Sequence, residues 1–269
     1  MDEHRVVIHA GSRLIVDGKP TALGSLTTHY IYEISHELKL NPIDPLTVQE
    51  ANKLMDVIHK INWERDIDPY LLAGWCVVAP VCGALTWRPH IWLTGAAGTG
   101  KSWVFLNIVR KLLGNTGLPV QSETTEAGLR QTLGSDALPV IFDEAEGEDK
   151  KNQDRMQSVL SLMRAASSED GGLMLKGTAG GQSKSYVMRS CFAFASISVL
   201  VAQQSDRSRV TIIGLRKEMD EDLRKSRWKE LQKNYHDIVT DSWVERLQAR
   251  TINILPIILK NIRTFAAAA

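Results

Sequence analysis

The sequence predicts an α/β fold in which a parallel sheet, wrapped by helices, carries a glycine-rich loop. Three observations predict it. The octet Gly95-Ala96-Ala97-Gly98-Thr99-Gly100-Lys101-Ser102 fits G-x-x-x-x-G-K-[ST] without a mismatch. About forty residues later, the apolar run Leu138-Pro139-Val140-Ile141-Phe142 ends in Asp143-Glu144-Ala145-Glu146. Between 87 and 215, strand-like and helix-like segments alternate, as crossover connections between parallel strands require.

The elements follow in chain order. Residues 5–23 alternate, with Val6, Ile8, Leu14 and Val16 apolar, and Asp17-Gly18 marks a hairpin turn, so a small β-meander is expected. Asn41-Pro42 and Asp44-Pro45 break the chain. Residues 47–61 and 69–85 read as two helices. His90-Ile91-Trp92-Leu93-Thr94 reads as a buried strand, and 103–113 carries Val104, Phe105, Ile108, Val109 and Leu112 at helical spacing. Residues 219–269 are helix-rich and end on Phe265-Ala266-Ala267-Ala268-Ala269 without a cap, as expected for a piece of a longer chain. The expected segments are a β-meander and linker over 1–43, a helical segment over 44–86, the core over 87–216 and a C-terminal helical segment over 217–269.

Composition bounds the function without naming it. The 269 residues are 43% hydrophobic, enough for a sizeable core. The formal net charge of +1 gives no global basic field, so contact with nucleic acid requires a local patch. Cys76, Cys82 and Cys191 show no C-x-x-C spacing and read as reduced core residues of a cytoplasmic protein. Met1-Asp2-Glu3-His4 begins no signal peptide, and the longest apolar stretch, 71–85, is too short for a bilayer, so no membrane partner is expected.

Strand, glycine loop and helix place phosphate at a helix N-terminus. The glycines at 95, 98 and 100, with Ala96, Ala97 and Thr99 between them, let backbone N–H groups turn toward phosphate oxygens. Lys101 can reach the β- and γ-phosphates of ATP, and the Ser102 hydroxyl can sit on Mg²⁺. An aspartate at the tip of a neighbouring strand, Asp143, can hold the metal's hydration shell, and Glu144 can polarise the attacking water. Glu146 reads as a solvated acid.

Three later features narrow the reading. Leu173-Met174-Leu175-Lys176 and Tyr186-Val187-Met188 are strand-like, joined by a glycine-rich tip flanked by Lys176 and Lys184. This is either a functional hairpin or an ordinary flexible connection. Ser196 ends the buried run Ser190-Cys191-Phe192-Ala193-Phe194-Ala195 and is either a γ-phosphate ligand or a surface serine. Arg207 and Arg209 precede the strand Val210-Thr211-Ile212-Ile213-Gly214-Leu215; they either reach a neighbour's nucleotide site or are solvated.

In order, WLTGAAGTGKS, the strand ending in FDEAE, the hairpin LKGTAGGQSKSYVMRS, the strand CFAFAS and DRSRV resemble the AAA+ ATPases. Within them the set is similar to superfamily 3 helicases, and more closely to the helicase part of primase-helicases from phages, plasmids and genomic islands. The resemblance covers about 71–215. It implies Lys101 and Ser102 on ATP–Mg²⁺, Asp143 on metal, Glu144 as catalytic base and Ser196 as γ-phosphate sensor. It also implies Arg207 or Arg209 as a finger acting in a neighbouring subunit, and Lys176 and Lys184 on DNA in the pore of a hexameric ring. Two departures stand out. Many relatives carry Asn at the Ser196 position, and the C-terminal helices offer no clear second sensor beyond Arg246 and Arg250.

The expected activity is therefore an ATP-driven helicase or translocase acting on single-stranded or forked DNA. A primase domain in the full-length protein is an implied partner, although no primase metal-binding motif is present here. Two rivals remain: an AAA+ ATPase that remodels protein, and a nucleotide-switched DNA-binding assembly module. The tip from Gly177 to Lys184 lacks the aromatic residue expected of a protein-gripping loop, and intact Lys101, Asp143 and Glu144 argue against a pure switch.

Overall fold

Apolar runs that lack alternation belong to strands covered on both faces, and the chain has several of them. The computed structural model describes residues 5–143, 145, 150–168, 173–177, 183–201 and 203–268. The chain divides into two units, residues 55–234 and residues 1–54 with 235–269. Two helices, α1 (Val48–Ile58) and α8 (Glu221–Ile238), cross the division.

The larger unit is built on a five-stranded sheet in the order β10-β4-β9-β6-β5, with every neighbouring pair parallel. Its strands are β4 (His90–Gly95), β5 (Leu118–Val120), β6 (Val140–Phe142), β9 (Phe192–Ser196) and β10 (Val210–Leu215). This is the α/β class and parallel sheet the sequence predicts. The central strands β4, β6 and β9 are almost wholly buried. Trp92 stacks on Phe194 with ring centroids 4.9 Å apart, and Phe142 and Phe192 each lie 5.9 Å from the same ring. Such aromatic pairs contribute about 0.5–1.5 kcal/mol each beyond the area they bury.

Helices connect the strands. α2 (Asp68–Val78) begins with Pro69 in its first turn, where a missing N–H is harmless, and continues as a 3₁₀ segment, Ala79–Ala84. After β4 the helical run comprises α3 (Lys101–Val104), a π-helical segment Phe105–Arg110 and α4 (Lys111–Leu113). α5 (Glu126–Leu133) is capped by the Thr125 hydroxyl, which accepts from the Gly128 N–H at 3.1 Å. α6 (Lys150–Ala166) leads to the antiparallel pair β7 (Leu173–Gly177) and β8 (Ser183–Val187), and a short α7 (Gln204–Arg207) leads into β10. Cys76, Cys82 and Cys191 are buried free thiols, as expected of reduced core residues, and burial pushes the Cys76 thiol up.

In the smaller unit, β1 (Val7–His9), β2 (Arg13–Val16) and β3 (Lys19–Ala22) form the expected antiparallel meander. Asp17 and Gly18 both take positive φ, +48° and +76°, as a type I′ hairpin turn demands. Thr47 and Glu50 form a capping box at the start of α1. The Thr47 N–H and hydroxyl, helped by Arg246, hold the Glu50 carboxyl down to about 2. In α9 (Asp241–Ala268), Arg246 also pairs with Asp44, and Arg250 donates to the Leu46 carbonyl. Both second-sensor candidates are thus engaged within this unit. Among the described residues, no helix is long and apolar enough to cross a membrane.

One buried polar node ties the larger unit together. His90 accepts from the Phe192 N–H through Nδ1 at 3.1 Å, and its Nε2 lies 3.0 Å from the Ser167 hydroxyl, which donates to the Met163 carbonyl. Burial, and then the nearby Arg88 charge, push the imidazole down to about 3. The folded protein therefore keeps His90 neutral, while the unfolded chain takes up a proton below about 6.5. Stability should be fully present above that pH and fall toward pH 3 by up to about 1.4 kcal/mol per unit from this residue. Urea unfolding of His90→Gln between pH 6 and 4 should show a correspondingly shallower pH slope than the wild type. An unchanged slope would mean that His90 is protonated in the folded state.

Candidate active site

The loop between β4 and α3 turns where its sequence allows. Gly98 and Gly100 sit at φ +79° and +87°, a left-handed region closed to most side chains. Thr99 closes the turn by donating its hydroxyl to the Ala96 carbonyl at 2.9 Å. At Gly95 a Cβ would lie 2.8 Å from the Thr99 hydroxyl and 3.0 Å from the Leu215 carbonyl oxygen, so the loop packs tightly on β10. Lys101 and Ser102 are the first two residues of α3, with Ser102 exposed. Their N–H groups are among the unpaired donors of a helix start, and the helix dipole adds a positive field there.

Register brings the other expected residues to this edge of the sheet. Thr94 is level with Ser196 on β9, and Phe142 is level with Phe194. The C-terminal ends of β4, β9 and β6 thus lie side by side, and Asp143 emerges exposed about 10 Å from β4, two inter-strand spacings away. A hydroxyl at 102 and a carboxylate at 143 are hard oxygen donors suited to Mg²⁺, which keeps most of its water shell. Glu144 lies outside the described residues, as does Glu146. Ser196 is buried. Its hydroxyl accepts from the Trp92 indole N–H at 2.7 Å and donates to the Ser198 carbonyl at 2.6 Å.

A cavity of about 280 Å³ adjoins the loop. Gly98, Thr99 and Gly100 form one side, and Ile61 and Asn62 another. The segment carrying those two residues is hydrogen-bonded along the end of β10, through Arg216 N–H to the Asn62 carbonyl and Glu64 N–H to the Gly214 carbonyl. Trp103 and Trp228 meet edge to face here, with centroids 5.1 Å apart, and Leu231 extends the apolar wall. Arg216, Arg224 and Arg227 line the same cavity. Sequence reasoning looked for a second-sensor arginine only at 246 and 250. Arg224 and Arg227, which both contact Glu218, lie on a charged helix face that nothing local in the sequence distinguishes from a solvated surface.

The remaining expected residues occupy the opposite edge. Val210 is level with His90, so α7 precedes the N-terminal end of β10, a full strand length from the loop. Arg207 is exposed, and its Nε donates to the Val201 carbonyl at 3.1 Å. Arg209 is half-buried, donates to the Ser205 carbonyl at 2.7 Å and lies 5.8 Å from the Trp87 ring centre. The β7–β8 hairpin leaves and re-enters the core at this edge too. Arg88 N–H bonds the Ser167 carbonyl, and Trp87 bridges Ser168. Lys176 and Lys184 are directly opposed in its register. The tip, 178–182, lies outside the described residues. The Arg130 guanidinium, paired with Glu126, sits 4.9 Å over the Tyr186 ring and anchors the hairpin to α5.

No family model matches the chain, and no curated protein matches it. Solved structures do match. A JCV helicase (JC virus) with a bound substituted acetamide aligns at 16% identity and a TM-score of 0.40, covering 79% of this chain and 55% of that one. Two further JCV helicase structures, one with an inhibitor bound, align at 17% identity and a TM-score of 0.38, covering 79% of this chain and 54% of theirs. The chain thus spans little more than half the length of these helicase chains.

A nucleotide whose phosphates rest on the loop would set its base in the cavity, against Trp103 and Trp228. Titration with ATP should therefore change tryptophan emission, and Lys101→Ala should abolish both the change and binding, because the ammonium that would meet the β/γ-phosphates is lost. Normal ATP affinity in Lys101→Ala, read by calorimetry, would place the phosphates elsewhere.

Proposed function

We propose that this chain is the ATP-hydrolysing part of an AAA+ superfamily 3-type DNA helicase, with residues 87–216 as its ATPase core. It works as a homo-oligomeric, hexameric ring on single-stranded or forked DNA, in the cytoplasmic replication machinery of a mobile genetic element. A primase domain elsewhere in the full-length protein is a fitting partner.

The observation that carries this reading is the division of candidate residues between the two edges of one parallel sheet. The loop, Ser102 and Asp143 lie at the C-terminal edge, and the arginines and the hairpin at the other. Six β4 residues separate the edges, about 20 Å at 3.3 Å each. No arginine at 207 or 209 can therefore serve its own loop. A ring solves this by presenting one subunit's N-terminal edge to the next subunit's loop.

In this reading the loop N–H groups and Lys101 hold the β/γ-phosphates, and Ser102 and Asp143 hold Mg²⁺. The metal, when bound, neutralises charge on the transferred phosphate. Glu144 takes the proton of the attacking water. Arg224 and Arg227 line the base and ribose side of the site and take the place sought for a second sensor. Ser196, hydrogen-bonded to Trp92 and Ser198, reaches the γ-phosphate only if those bonds exchange. Arg207 is the finger: it is exposed, with one nitrogen on a carbonyl, whereas Arg209 is held by Ser205 and Trp87. Lys176 and Lys184, level in the backbone register of the hairpin, supply cations for a phosphate backbone.

Glu144→Gln should keep ATP affinity and stop hydrolysis. Arg207→Ala should also keep affinity, with turnover down by about 10³-fold. Only Arg207→Ala should recover when mixed with Lys101→Ala subunits, because mixed interfaces join an intact site to an intact finger. Wild-type turnover in Glu144→Gln would remove the base assignment, and no recovery in verified mixed rings would remove the shared site.

The double variant Lys176→Ala/Lys184→Ala should bind single-stranded DNA more weakly, with little sequence preference. Its salt slope should fall by about 0.7 for each lost contact, while DNA-free ATP turnover persists. Normal DNA binding and unwinding at every salt concentration would move the protein-remodelling reading ahead.

A further inference from the structure

An ion pair with a buried carboxylate joins the helix that leads into the hairpin to the short helix that carries Arg207. Asp206, within α7, is fully buried. Its carboxylate lies 3.1 Å from Nε of Arg164, in the last turn of α6. Among the described residues neither carboxylate oxygen receives a well-aligned hydrogen bond, so the charge of the adjacent guanidinium is what offsets its burial. The same guanidinium donates through Nη1 to the Gln203 side-chain oxygen at 2.8 Å and to the Ser205 hydroxyl at 3.1 Å. One side chain therefore grips three of the five residues from 203 to 207.

A helix of four residues has too few internal bonds to hold itself, and isolated helices this short are unstable in water. α7 takes its position from this clasp and from Asp206 burial. Two residues beyond Arg164 the helix α6 ends, and Ser167, Ser168 and the hairpin follow. The turn where Arg164 holds α7 is thus the last turn of the helix that precedes the hairpin in the chain.

We infer that Arg164 is a positioning residue that, through Asp206, sets the helix presenting Arg207 to the neighbouring subunit and links that arginine to the hairpin. The inference rests on the proposed role of Arg207 in a shared site. Removing Arg164 alone would leave the Asp206 charge buried without its partner, so the informative variant removes both while keeping their shapes.

Arg164→Gln/Asp206→Asn should bind ATP as the wild type does, with KM little changed. Its kcat should fall by about 10²-fold, the scale of an ångström-level misplacement of a catalytic group. Mixing with Lys101→Ala subunits should restore activity, because the defect lies in the arginine offered and not in the variant's own site. Arg164→Lys, which keeps the charge and loses the fork, should fall between the two, and it serves as the test variant if the double variant does not fold. Wild-type kcat in the folded variant overturns the inference. So does a loss that mixing fails to restore while the Arg207→Ala control recovers. If the Arg207→Ala control itself does not recover, the shared-site reading fails first, and this inference falls with it.

Discussion

Parallel pairing of five strands is the constraint on which the rest of this molecule depends. Each strand must be entered at one edge and left at the other, so every residue just after a strand faces one side and every residue just before a strand faces the opposite side. The glycine loop follows β4, Asp143 follows β6 and Ser196 ends β9, and these gather at one edge. α7 precedes β10 and the hairpin precedes β9, and these gather at the other. The direction of hydrogen bonding in the sheet thus sorts the candidate residues onto two opposite edges.

The sheet holds that arrangement through its buried aromatic layer and a few polar nodes. Trp92 does two things at once: its ring stacks on Phe194, and its indole N–H binds the Ser196 hydroxyl. His90 couples β4 to β9 and, through Ser167, to the end of α6. Asp206 and Arg164 extend the same helix end to α7. Buried groups of this kind are costly if left unpaired, so each restricts its neighbours to one geometry. α7 and the end of α6 are thereby tied to the same sheet that carries the glycine loop.

The cavity beside the loop has a different origin. Its walls come from the 60–62 segment, the loop, the end of β10 and α8, which are far apart in sequence. Each contributes an ordinary feature: a tryptophan after Ser102, a tryptophan and two arginines on an exposed helix, a backbone segment on a sheet edge. Only their convergence makes an apolar slot with a basic rim, suited to a base and its phosphates.

Much of this was legible in the sequence because it rests on local rules. The glycines at 98 and 100 occupy backbone conformations that few other residues take, the apolar run before Asp143 is a strand covered on both faces, and Asp17-Gly18 dictates its own turn. The phosphate loop, the acid-tipped strand, the meander and the hairpin strands therefore follow from residue type and spacing. Tertiary structure alone decided what depends on distant partners. Ser196 reads as a free polar tip until Trp92 and Ser198 claim its hydroxyl, and Arg246 and Arg250 read as sensor candidates until Asp44, Glu50 and Leu46 engage them. Arg207 and Arg209 look equivalent until Trp87 and Ser205 hold one of them. Local spacing encodes backbone conformation and periodic burial, whereas the availability of a side chain also depends on groups such as Trp92, Trp87 and Asp44, which lie a hundred or more residues from the side chains they engage and which only folding brings within reach.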